Sequence, residues 1–132
     1  MKANELMMGD WVMHNDGTPM RVSVVKQDCF ACSSQPHLYD YNNEFYPIPL
    51  TPEILEANGF KDYGEIKEYQ FEEDGEKYAF YLKAMYNKNN VRDAWGTNIG
   101  GVLPSVIMYV HELQHALRLC GLGEIADNLK VK

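Results

Sequence analysis

The apolar positions of this 132-residue chain follow two different periods, and the contrast predicts its elements. From Gly9 to Val25, GDWVMHNDGTPMRVSVV places two β-rich runs around Asn15-Asp16-Gly17, a combination that favours a tight hairpin turn. Val12, Arg21, Val22, Val24 and Val25 are residue types that suit a pleated surface. A further strand is expected from Cys29 to Ser33, so the N-terminal third reads as a small curled sheet or an SH3-like half barrel. EIKEYQFEEDGEKYAFYLKAMY, from Glu65 to Tyr86, predicts a second hairpin turning at Asp74-Gly75. Its alternation implies one wet face and one buried face, the latter carrying Tyr69, Phe71, Tyr78, Phe80 and Leu82. Asn87 to Asn90 reads as a loop, Val91 to Ile99 as another strand around Trp95, and Gly100-Gly101 as a break.

Helical spacing appears twice. In YPIPLTPEILEANGF, Thr51 is placed to cap a short helix, Pro52 suits its first turn, Glu53 complements its dipole and Gly59 ends it. Ile54 and Leu55 should face inward. A longer helix is expected from Ser105 to Cys120, with Pro104 at its entry, Arg118 in its last turn and Gly121 as its stop. Val106, Val110, Leu113, Leu117 and Cys120 form its apolar stripe, flanked by Tyr109 and Ala116. His111 and His115 fall on the opposite, polar side with Glu112, Gln114 and Arg118. The predicted class is α+β. It comprises antiparallel β hairpins, one short middle helix and a long C-terminal amphipathic helix packed on the sheet, all in a single domain spanning 1–132.

Composition narrows the function classes. The chain is 45% hydrophobic and 23% charged with no low-complexity tract, which excludes a disordered segment. A net charge of −7 with scattered charges argues against nucleic acid or an anionic membrane as partner. The N-terminus carries no apolar signal-like run, and the longest apolar segment, near Gly101 to Val110, is interrupted by Pro104 and Ser105. Three cysteines make no disulfide framework, so a reducing cytoplasm is the expected setting.

The one catalytic pattern is HELQH, residues 111–115. Two histidines four apart on a helix can reach one zinc ion, and the intervening Glu112 is placed to act as general base on a zinc-bound water. The third ligand is harder to find. Of the 17 residues after His115, only Glu124 and Asp127 offer a side-chain ligand, and Arg118 and Gly121 stand where the long metallopeptidase pattern wants glycine and a further ligand. His14 and His37 are upstream alternatives. The competing reading makes both histidines solvated polar-face residues and assigns no catalytic residue, no metal ligand and no cofactor. Cys29 and Cys32 form a CxxC followed by His37, but the surroundings read as strand and loop, where two cysteines serve as small hydrophobes. Cys120 belongs to the packing stripe. Nine tyrosines raise the prospect of an aromatic binding surface, although their spacing puts most on the sheet's buried face.

MKANELMMGDWV, PIPLTPEILEANGF and YVHELQHAL resemble motifs of a family of small uncharacterised proteins from gut anaerobes and their prophages and mobile elements. The resemblance runs along most of the chain and implies an accessory role in a mobile element, with no activity to carry over. The family's last motif has asparagine where this chain has His115, so the second histidine is this chain's own variation. Together these readings lead to an expected acidic, cytoplasmic, non-enzymatic module that binds another protein, with no nucleic-acid or membrane partner and an open oligomeric state. The alternative is a minimal zinc hydrolase using His111, His115 and Glu124 as ligands and Glu112 as base.

Overall fold

The structure, a computed structural model, describes residues 5–27, 29–32, 38–40, 45–97 and 106–131. The elements in chain order are β1 (Trp11–His14), β2 (Pro19–Val25), β3 (Cys29–Cys32), β4 (Leu38–Asp40), β5 (Phe45–Pro47), α1 (Pro52–Ala57), β6 (Lys61–Tyr63) and β7 (Ile66–Glu73). They continue with β8 (Glu76–Tyr86), β9 (Arg92–Thr97), β10 (Val106–Ile107), α2 (Val110–Leu119) and α3 (Gly123–Asp127). Every strand pairing is antiparallel, and the class is α+β as expected. The chain divides into two compact units, Met1–Pro49 with Tyr109–Val131, and Leu50–Met108.

The first unit holds a curled, half-barrel sheet in the order β4-β3-β2-β1-β5. The β1–β2 hairpin turns through Asn15-Asp16-Gly17, where Gly17 takes a positive φ that most side chains avoid. Alternation brings Val12, Met20, Val22, Phe30, Cys32 and Phe45 into one buried cluster, which Leu6 joins from the preceding segment. A register shift between Val22 and Val24 inserts one extra residue into β2. After that bulge Val25, rather than Val24, turns inward opposite Phe30, and Val24 is left exposed.

The second unit holds the sheet β10-β9-β8-β7-β6 and α1. Thr51 Oγ1 accepts the Ile54 N–H, Pro52 opens α1, and Gly59 follows with φ +88°. These were the predicted helix signals. Leu55 is fully buried and Ile54 half-buried. Phe80, Leu82, Ala84, Trp95 and Ile107 are buried, and the Trp95 indole N–H donates to the Leu50 carbonyl at 3.2 Å. Lys67 is buried too, and its ammonium donates to Asp62, with Glu56 nearby at 3.8 Å. That hydrogen bond holds the Asp62 carboxyl below its usual range.

Two expectations need correction. The long C-terminal helix is absent: α2 begins at Val110 and ends at Leu119, ten residues in all. Val106 and Ile107 lie in a strand instead, opposite Gly96 and Trp95, so sheet pairing overrides their place in the helical stripe. Tyr109 is extended, at φ −125° and ψ 156°, and its N–H donates to Glu112 Oε1, which fixes the helix start one residue later. The tyrosines are also wetter than their spacing suggested. Tyr46, Tyr63, Tyr78, Tyr81 and Tyr86 are all exposed. The Gly100-Gly101 break and His37 lie outside the described residues, as does most of the predicted helix's entry.

Candidate functional site

The HELQH residues sit on α2, within the first unit. Its apolar stripe is buried as predicted through Val110, Leu113, Ala116 and Leu117. The other side of the helix is where the fold departs from expectation. His111 is 5% exposed and Gln114 is not exposed at all, so this is no solvated face. It packs instead against the segment Leu6 to Trp11, the turn that leads into β1.

That turn is built by Met7-Met8-Gly9-Asp10. The Asp10 N–H donates to the Met7 carbonyl at 3.1 Å, and Asp10 Oδ2 accepts the Met7 N–H at 2.8 Å. Gly9 stands at the third position with φ +89°, a conformation a turn of this kind takes most readily with glycine. A Cβ there would lie 2.9 Å from Arg118 Nη2 and 3.3 Å from Asp127 Oδ1. Glycine is therefore required twice, by backbone angle and by space.

Asp10 has no exposed surface, so its charge must be met inside the protein. Arg118 Nη1 donates to Oδ1 at 2.8 Å, and His115 Nε2 lies 2.6 Å from Oδ2. An ionised carboxylate only accepts, which makes His115 Nε2 the protonated, donating nitrogen. Arg118 also reaches Asp127 at 3.4 Å. Gln114, one turn before Arg118, completes the seam. Its Nε2 donates to the carbonyls of Gly9 at 2.8 Å and Ala126 at 3.1 Å, and its Oε1 accepts the Trp11 N–H at 2.9 Å. The Trp11 indole N–H donates to the Leu129 carbonyl at 2.7 Å. One buried amide thus ties the N-terminal turn, α2 and α3 together.

His111 lies parallel to the Tyr109 ring at 5.9 Å and edge-on to His115 at 5.7 Å. Its Nδ1 is buried and has no hydrogen-bond partner among the described residues. Burial depresses its pKa, with a smaller push from His115, against the opposing pull of Asp10, Glu112 and Glu5. His111 is accordingly a neutral imidazole. Glu112, the candidate base, lies in the first turn of α2, where its carboxylate accepts the Tyr109 N–H at 2.9 Å. Glu124 opens α3, and its backbone carbonyl accepts from the Asn128 side chain at 2.8 Å. Among the described residues, no group of three or more His, Cys, Asp or Glu side chains is placed to hold a metal ion.

No family model, curated protein or solved structure matches the chain.

The remaining candidates are spread over the fold. His14 is in β1, its ring edge-on to Phe45 at 5.0 Å and its Nδ1 3.0 Å from Asp16. Cys29 and Cys32 occupy β3, where residues three apart point to opposite faces, so the two thiols do not converge. Cys32 is in the core, and burial pushes its thiol up to about 11. Cys120 is half-buried at the end of α2 rather than a full member of the packing stripe. What sequence reasoning missed was Asp10 and the seam it anchors. The available signal was the uncharged Gln114 between the two histidines, an odd choice for a face expected to meet water.

Proposed function

We propose that this chain is a non-enzymatic, protein-binding accessory module of a prophage or mobile element, working in the cytoplasm. The observation that carries this reading is the use made of the HELQH side chains. His115 is spent on Asp10, Glu112 on the helix start and Gln114 on three backbone groups. A zinc site at this helix requires His115 to give up a carboxylate already bound to the same nitrogen. Glu112 would likewise have to leave the cap before serving as base. Exposed Tyr63, Tyr78, Tyr81 and Tyr86, by contrast, offer the amphipathic aromatic area that protein interfaces favour. The mobile-element setting rests on the family resemblance of the three motifs.

A second reading, the minimal zinc hydrolase, draws on one observation: the unpartnered Nδ1 of His111 beside the His115 ring. Two measurements on the full chain separate them. Equilibrium dialysis against zinc should leave less than a tenth of an equivalent bound. Affinity capture should retain a defined protein that a Tyr63→Ser/Tyr78→Ser/Tyr81→Ser variant loses while keeping its thermal midpoint. One equivalent of zinc that disappears in His115→Asn, together with peptide or ester hydrolysis, would overturn the binding-module reading.

A further inference from the structure

Within the second unit, β7 outruns its neighbour. The β6–β7 pairing ends at Lys61 opposite Glu68, yet β7 continues to Glu73. Phe60 and Gly59 lie against the Tyr69 ring, so the uncovered edge runs from Gln70 to Glu73. Among the described residues no strand pairs with that edge. Alternate residues of such an edge present backbone N–H and C=O groups to whatever lies beside them.

A trough of about 720 Å³ lies along the same stretch, lined by Glu68, Gln70 and Glu72 of β7 with Lys77 and Ala79 of β8. The register explains its shape: Gln70 faces Ala79 and Glu72 faces Lys77, so a small residue floors a trough with charged walls. Between Glu65 and Tyr78 the chain carries six carboxylates against two lysines, and one of those, Lys67, is buried with Asp62. At the hairpin end Phe71 and Tyr78 stack at 5.7 Å, and Tyr78 is 46% exposed.

We infer that the Gln70–Glu73 edge is a docking site for an extended segment of a partner protein bearing Lys or Arg at every second residue. This rests on the binding-module reading and names the partner's chemistry. A strand added beside β7 would lie about 4.8 Å away with its side chains at the same two-residue repeat. Cations on one of its faces then come into register with Glu68 and Glu72. A second copy of this chain is disfavoured at the same edge, because it would set Glu68, Glu72 and Glu73 against their own kind. Nucleic acid is disfavoured for the same reason.

The test uses fluorescence anisotropy with the full chain and a synthetic eight-residue peptide alternating lysine and valine. Binding should weaken roughly tenfold in Glu68→Gln/Glu72→Gln at low salt, since each exposed ion pair contributes modestly. Amide exchange should slow at Gln70–Glu73 when the peptide binds. A peptide of the same charge with proline in place of valine should fail, because it cannot pair along an edge. Equal binding by the proline peptide, or no effect of the double variant, would reduce the interaction to general attraction and overturn the inference. Sedimentation showing a dimer protected at Gln70–Glu73 would replace the proposed partner with a second copy. If affinity capture retains a Tyr-dependent partner while the lysine peptide does not bind, only this docking chemistry falls. If neither binds, the module reading falls with it.

Discussion

Replacing Asp10 by asparagine keeps the shape of the side chain and removes its charge. In the native seam Oδ1 accepts from Arg118 and Oδ2 accepts from both His115 and the Met7 N–H. An amide that leaves its oxygen facing Arg118 turns its NH2 toward two donors. His115 can change tautomer and accept, but the Met7 N–H cannot, so one backbone donor loses its bond. The larger cost is at Arg118, whose side chain is 16% exposed and would keep its charge without the carboxylate. Removing one partner of a buried ion pair costs about 3–5 kcal/mol. Arg118 retains some water and Asp127 at 3.4 Å, which places the expected loss near the lower end, about 3 kcal/mol. For a chain of this size that corresponds to a fall of about 10 °C in thermal midpoint. Urea unfolding followed by far-UV circular dichroism reads the loss directly. A change below about 1 kcal/mol would refute the claim that Asp10 is a buried anchor, because a surface substitution would do as much.

Three further outcomes follow from the same seam. Gly9→Ala should destabilise by about 2 kcal/mol, combining a positive-φ penalty with crowding at Arg118, whereas Gly17→Ala, in open space, should lose only the backbone part, about 1 kcal/mol; thermal midpoints of the two variants check the difference. Gln114→Leu fits the volume but strands the Trp11 N–H and the Gly9 and Ala126 carbonyls, so about 3 kcal/mol should be lost in urea titrations, with faster amide exchange at Trp11. The burial that lowers the His111 pKa makes the unfolded chain the better proton acceptor. Its contribution to stability is therefore complete above about pH 6.5 and lost as pH falls below that, by at most about 1.4 kcal/mol per unit. Urea midpoints from pH 8 to 5 should show that slope, and His111→Gln should flatten it.

Most elements were legible because their signals are local. The Asn15-Asp16-Gly17 and Asp74-Gly75 turns, the Thr51 cap and the Gly59 and Gly121 stops are each decided within a few residues, and each appears where predicted. The helix start was misread because a non-local pairing decided it. Val106 and Ile107 fit a helical stripe, but a place beside Gly96 and Trp95 buries Ile107 almost completely, and periodicity carries no information about that partner. The exposed tyrosines fail for a related reason: alternation predicts which residues share a face, not whether that face is covered.

The candidate site was misread in a more instructive way. Imidazoles at i and i+4 share a helix face whether they bind zinc or a buried carboxylate, and a glutamate in the first turn serves a cap as well as it serves a base. What separates the two cases is the residue that faces them, and Asp10 lies 105 positions from His115. The motifs around Gly9-Asp10-Trp11 and His111–His115 looked like two separate signatures in the sequence. In the fold they are the two sides of one contact: the turn supplies the carboxylate, a close-approach glycine and two backbone groups, and α2 supplies the cation, the imidazole and the amide that answer them. Asparagine at position 115, the residue in the resembling family's motif, can still donate toward a carboxylate but offers no metal-binding imidazole. A role as partner to Asp10 therefore accommodates both residues, and a role in zinc catalysis accommodates only one.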